Sequence, residues 1–213
     1  MKRNDFQLKL WPLAVGCVCF LALMPITQQA GASTRPKAVV ETGMERVLGL
    51  LRSKCTNGQS VAVRQHRAEI EKIVLEYFDF QEMAMRSLGP SWRQQTPGKQ
   101  QEFTQLFQDM IFNTYIDRVD TYTCSNEKVL YEDESLDGNH AVVKTRITGY
   151  KGSKDIPIEY RLRLKDNDWK TYDVVIEGVS LVNNYRQQFA SILNREPFEA
   201  LLKRMRDKNT ELK

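Results

Sequence analysis

Apolar side chains recur at helical spacing from Lys37 to about Val119, and from Lys128 to Glu177 they alternate with polar ones instead. Val40, Met44, Val47, Leu48 and Leu51 form a stripe over Lys37–Arg52. After a turn at Ser53–Ser60, Ile70, Ile73, Val74 and Tyr77 form a second stripe over Val63–Tyr77. Asp79 is placed to cap a short helix from Phe80, which stops at Gly89-Pro90. Thr96 followed by Pro97 marks another start, because proline at the first helical position gives up an N–H that has no partner there. This long helix presents Phe103, Leu106, Phe107, Met110, Ile111 and Thr114 on one side.

The alternating region reads as four strands: Lys128–Glu134, His140–Tyr150, Ile156–Lys165 and Trp169–Glu177. Asp137-Gly138-Asn139, Lys151-Gly152-Ser153 and Asp166-Asn167-Asp168 supply the turns. Such short connections make consecutive strands antiparallel neighbours. Gly178 ends the last strand, and Val182, Tyr185, Phe189 and Ile192 mark a helix reaching about Asn194. Pro197 opens a final helix to about Arg206. The order predicts an α+β fold: a twisted antiparallel meander of about four strands packed against N- and C-terminal helices. Its helical part is 37–120, its sheet 128–177 and its C-terminal helices 179–206.

If the strands share one concave face, it carries Val143, Ile147, Ile158, Tyr160, Leu162, Tyr172, Val174 and Ile176. Phe103, Phe107, Met110 and Ile111 oppose it. Periodicity does not separate a solid core from a lined cavity, and close packing is the ordinary outcome. On the outward face Lys144, Arg146, Arg161, Arg163 and Lys165 form either a basic patch or a solvated surface neutralised by Glu159 and Asp173.

The N-terminus follows different rules. Lys2, Arg3 and Lys9 precede an apolar run, Leu10–Met24, that is short for a bilayer span, and Ala30-Gly31-Ala32 offers small residues for cleavage. Residues 1–32 are therefore expected to be a signal peptide, and 33–213 one periplasmic domain. Removing them from a chain of 213 leaves 181 residues. Three of the 31 basic and one of the 27 acidic residues go with them, leaving an excess of +2. That balance argues against a nucleic-acid partner, which needs a concentrated basic field. No second apolar run is long enough to cross a membrane. Cys55 and Cys124 remain. In an oxidising compartment they either form a disulfide worth about 4 kcal/mol or stay as two small unpaired hydrophobes.

Catalytic chemistry has little to work with. His66 and His140 are the only histidines, and neither stands in a motif. There is no nucleophile elbow, metal-spaced His/Cys cluster or glycine-rich phosphate loop. Asp173 and Glu177 are not an evident acid–base pair. The expectation is a protein that is not an enzyme and has no metal or cofactor.

The wording of the C-terminal hairpin is more specific. Trp169, Tyr172, Asp173, Glu177, Gly178, Val179, Ser180, Leu181, Tyr185, Arg186 and Phe189 together resemble the signature of the periplasmic phospholipid-shuttle family of Gram-negative bacteria, the MlaC or toluene-tolerance family. Phe78–Val119 is similar to that family's other recognisable block, and the resemblance spans most of the chain after about residue 37. It implies an apolar cavity holding lipid tails between sheet and helices, lined by the concave-face and opposing residues above together with Val179, Leu181 and Phe189. It also implies phospholipid as cargo, with an inner-membrane ABC transporter complex and an outer-membrane lipoprotein complex as partners. A carrier for another apolar lipid, such as a hopanoid, and an interaction module with a solid core stay open as alternatives.

Overall fold

The change of hydrophobic period along the chain becomes a change from helices to sheet. A computed structural model describes residues 35–53, 67–119, 127–149 and 154–212. The expected signal peptide, Cys55 and Cys124, His66 and the Lys151-Gly152-Ser153 turn lie outside the described residues. The helices α1 (Pro36–Ser53), α2 (Arg67–Tyr77) and α3 (Phe80–Leu88) come first. A 3-10 segment, Gly89–Gln94, leads into α4 (Pro97–Val119). The strands are β1 (Lys128–Asp137), β2 (His140–Thr148), β3 (Ile156–Lys165), β4 (Asp168–Ile176) and the short β5 (Val179–Ser180). The chain closes with α5 (Leu181–Leu193) and α6 (Phe198–Glu211). All neighbouring strands pair antiparallel, in the order β1-β2-β3-β4-β5. This is the expected meander, with a fifth strand of two residues added.

Local chemistry sets the reversals. Asp166 and Asn167 both have positive φ, 51° and 67°, and they close a two-residue turn between the paired Lys165 and Asp168. Glu177 and Gly178, at 49° and 83°, do the same between β4 and β5. Two successive positive φ values match the twist of a tight hairpin.

One irregularity changes which side chains face inward. Leu162 pairs with Thr171 and Arg161 with Asp173, so Tyr172 is an extra residue on β4. The bulge shifts the alternation of that strand by one. Trp169 and Thr171 point to the concave face before it, and Val174 and Ile176 after it. Tyr172, expected on the same face as Val174 and Ile176, instead turns away and lies under the Arg86 guanidinium, 4.2 Å from its ring centre.

The apolar interior has two main parts. Between α3, α4, α5 and α6, Phe103 and Phe107 are wholly buried with their rings 6.0 Å apart, and Phe189 meets Phe103 edge-on at 5.4 Å. Against the concave face, α1 contributes Val40, which clusters with Val143, Tyr160, Leu162, Trp169, Val174 and Leu181. The first part is rich in stacked and edge-on aromatic rings, and the second borders the cavity described below.

The outward sheet cations are individually paired. Arg163 reaches Asp79 at 3.2 Å and Glu82 at 3.0 Å, and Lys165 reaches Asp79 at 3.1 Å. Arg161 pairs with Asp173, Arg146 with Glu132 and Lys144 with Asp133. The alternative of a free basic patch on these five residues is thereby excluded; Asp79, Glu82, Glu132 and Asp133 neutralise it alongside Asp173.

Asp79 also caps α3 as its position predicts, accepting the Glu82 N–H at 3.0 Å. Burial alone would raise its pKa, but that N–H, the Lys165 ammonium and the Arg163 guanidinium outweigh burial and leave it below the ordinary carboxylate value. A depressed pKa stabilises the fold above the unfolded-state value of about 4, and the contribution is lost as pH falls through the native value. Asp79→Asn should therefore cost about 1–2 kcal/mol at pH 7. Denaturant titrations of both proteins between pH 7 and pH 3 should show the gap closing below about pH 4.

Candidate functional site

Between α1, α2 and α4 on one side and β3 and β4 on the other lies an apolar cavity of about 300 Å³. It is twice the size of the roughly 150 Å³ cavity that, in an engineered protein, stays dry and takes up benzene. From the sheet come Ile158, Tyr160, Thr171, Val174 and Ile176, with Leu181 from the start of α5. From α4 come Ile111, Phe112, Tyr115 and Ile116. The opposite wall is made by α1, through Val39, Val40, Gly43, Met44 and Val47, and by α2, through Ile70, Ile73, Val74 and Tyr77. Phe78 and Phe80 close the end where α2 passes into α3.

Most of the α1 lining, with Val74 and Tyr77 of α2, is half-buried, whereas Ile158, Tyr160 and Val174 are buried. The opening to solvent therefore runs along α1 and α2, and the sheet forms the floor. At Gly43 the backbone of α1 comes close to α2, since a Cβ there would stand 3.2 Å from the Tyr77 ring.

The lining carries no charge. Tyr160 is pushed well above the usual phenol range by burial, so it is neutral at any physiological pH, and its hydroxyl donates to the Met44 sulfur at 3.5 Å. Tyr77 turns its hydroxyl outward, where it accepts from Arg46 at 3.1 Å. Such a surface offers dispersion and burial to a guest and no directional recognition.

Of the residues expected to line a cavity, Ile111, Ile158, Tyr160, Val174, Ile176 and Leu181 do so. Val143, Ile147 and Leu162 pack in the adjoining sheet cluster and do not reach it. Phe103, Phe107, Met110 and Phe189 belong to the solid core between α3 and α6, because the α4 stripe is wider than one interface and its Phe103–Met110 edge faces those helices. Val179 is more than half exposed beyond the β4–β5 turn. Tyr172 is displaced by the bulge. The α1 and α2 residues that make half the wall were legible as apolar stripes, but a stripe does not say whether it meets a neighbour or a void.

The β4–α5 corner explains the motif. Asp173 is buried and accepts from Ser180 Oγ at 2.7 Å, from the Val182 N–H at 3.1 Å and from Arg161 at 3.2 Å. Ser180 caps α5 by accepting the Asn183 N–H at 3.0 Å. With the Glu177-Gly178 reversal, these contacts fix where Leu181 enters the cavity wall.

The family model described as MlaC protein matches residues 43–207, most of the chain. The chain belongs to the MlaC family. Among related proteins, the intermembrane phospholipid transport system binding protein MlaC of Haemophilus influenzae is 23% identical over 210 residues, covering 95% of this chain and 94% of that one. The toluene tolerance protein ttg2D of Pseudomonas putida is 27% identical over 104 residues, covering 48% and 47%. A solved phospholipid-binding protein from Ralstonia solanacearum, in complex with a phospholipid, superposes with a TM-score of 0.72 at 24% identity, covering 84% of this chain and 98% of that one. That likeness shows a shared fold. The MlaC-family fold is thus the mixed helix-and-sheet architecture described above. Among the described residues, no helix is long and apolar enough to cross a membrane, and no cluster of His, Cys, Asp or Glu is arranged to hold a metal ion.

Proposed function

We propose that this protein is a periplasmic phospholipid carrier, without a catalytic step, that seats acyl chains in the α1–α2–α4–sheet cavity and moves lipid between the inner and outer membranes. The observation that carries the proposal is the uncharged, apolar 300 Å³ cavity between the helices and the sheet. Because the space opens to solvent, its apolar walls are left wetted at a cost of about 25 cal/mol per Å² of apolar surface, a cost that an apolar guest removes. The names of the Haemophilus influenzae and Ralstonia solanacearum proteins point to phospholipid as that guest.

Each buried methylene is worth about 0.8 kcal/mol, so exposing two tails of some fifteen carbons costs on the order of 20 kcal/mol. A carrier must therefore enclose the tails and leave the headgroup wet. The cavity volume stands at the lower end of the roughly 300–1,000 Å³ of ligand pockets, so seating both tails needs α1 and α2 to part further. Transfer from bilayer to cavity exchanges one apolar shelter for another and is near neutral. Loading and unloading are accordingly assigned to docking partners, an inner-membrane ABC transporter complex and an outer-membrane lipoprotein complex.

Mass spectrometry of lipid extracted from protein purified without detergent is expected to show glycerophospholipid near one molecule per chain. Protein free of lipid that takes none up from vesicles refutes the carrier. A hopanoid in place of phospholipid keeps the cavity and changes the cargo.

A further inference from the structure

Behind β4, a second recess of about 510 Å³ is of opposite character to the cavity. The two share a wall: Thr171, Val174 and Leu181 line the cavity, whereas Tyr172, Asp173 and Val182 line the recess. Four arginines, Arg86, Arg93, Arg161 and Arg186, surround it, against the single carboxylate of Asp173. Two of them are already paired, Arg86 with Glu82 at 2.8 Å and Arg161 with Asp173 at 3.2 Å. Among the described residues, Arg93 and Arg186 have no ion-pair or hydrogen-bond partner.

Arg186 is nevertheless positioned. It lies against Gly89, where a Cβ would stand 3.3 Å from its Nε, and Gly89 has a φ of +61° that favours glycine. Tyr172, brought to this side by the β4 bulge, braces Arg86, and buried Trp92 and half-exposed Met85 supply apolar wall.

We propose that this recess is a docking site for an acidic peptide segment of a partner protein, with a carboxylate held between Arg93 and Arg186. Guanidinium groups match carboxylates in a planar, two-pronged geometry, and aromatic and arginine side chains around a pocket are what protein-binding centres use. A bilayer surface fits less well, because the site is concave and has only two uncommitted cations, worth about 1 kcal/mol each towards an anionic leaflet. The site is separate from lipid seating, so its failure and that of the carrier reading are distinguishable.

The test is a binding titration of a blocked hexaglutamate peptide, with hexaglutamine as control, to the mature protein at low ionic strength. The readouts are Trp92 fluorescence and arginine side-chain NMR signals. Saturable binding that shifts the Arg93 and Arg186 signals and weakens with salt is expected. Arg93→Glu with Arg186→Glu should weaken it at least tenfold while bound-lipid content is unchanged, and Arg186→Lys should weaken it less. No binding of hexaglutamate, equal binding of hexaglutamine, or binding untouched by the double reversal overturns the proposal. So does a site that takes inorganic phosphate, or vesicles containing anionic lipid, through these arginines but not the peptide.

Discussion

Val174→Phe should reduce bound phospholipid on the order of a hundredfold and leave the lipid-free protein as stable as the parent, or more stable. Val174 stands on the cavity floor, buried on β4 just after the bulge. Phenylalanine adds about four carbons, displacing three to four methylenes of any guest, and at 0.8 kcal/mol each that loss is about 3 kcal/mol. In a solid core the same change forces strained rotamers and costs about 1–3 kcal/mol of stability. Here the new ring enters space that is otherwise vacant, so it removes part of the penalty of the void. Two measurements decide the matter: lipid per chain by mass spectrometry, and unfolding of the delipidated proteins in denaturant. Unchanged lipid together with lowered stability would mean that the space is ordinary packing and that the carrier reading fails.

That test has to be made because the sequence does not distinguish the two outcomes. Phe103 and Phe107 have the same spacing along α4 as Ile111, yet the phenylalanines end in a dense aromatic stack and Ile111 beside a void. Hydrophobic periodicity reports which side of a helix avoids water. It carries no information about how many helices share that side, and α4 is covered on both flanks. Likewise α1 and α2 were legible as amphipathic, but their role as a cavity wall depends on how far they stand from the sheet.

The elements themselves were far more legible, because their signals are local. The cap at Asp79, the Thr96-Pro97 start and the Asp166-Asn167 turn act within a few residues, and each appears where its chemistry requires. Tyr172 marks the limit. A bulge inserts one residue without any composition cue, so the alternation that holds for Val174 and Ile176 does not extend back through Tyr172. Strict alternation therefore placed Tyr172 in the cavity, when its ring in fact packs against Arg86 on the other side of the sheet. The charges follow the same logic: Arg163 and Lys165 alternate outward as expected, but their partners Asp79 and Glu82 are about eighty residues away in sequence.

Asp173 concentrates the long-range consequences of the family motif, and Asp173→Ala should cost about 3 kcal/mol of stability. The carboxylate is buried and satisfies three donors at once: Ser180 Oγ, the Val182 N–H and the Arg161 guanidinium. Alanine removes all three acceptor contacts, strands the first turn of α5 and leaves Arg161 facing the recess unpaired. Breaking a buried pair costs about 3–5 kcal/mol, reduced here because Arg161 reaches solvent; loss of order at the helix start adds about 1 kcal/mol. Asp173→Asn, which keeps an acceptor for the Val182 N–H, should lose about half as much. The readable consequence is in the cavity as well as in the melting curve. Leu181 is held in the lining by this corner, so protein that stays folded should also hold less lipid. Loss of stability with full lipid occupancy in Asp173→Ala would show that the corner anchors α5 but does not shape the cavity.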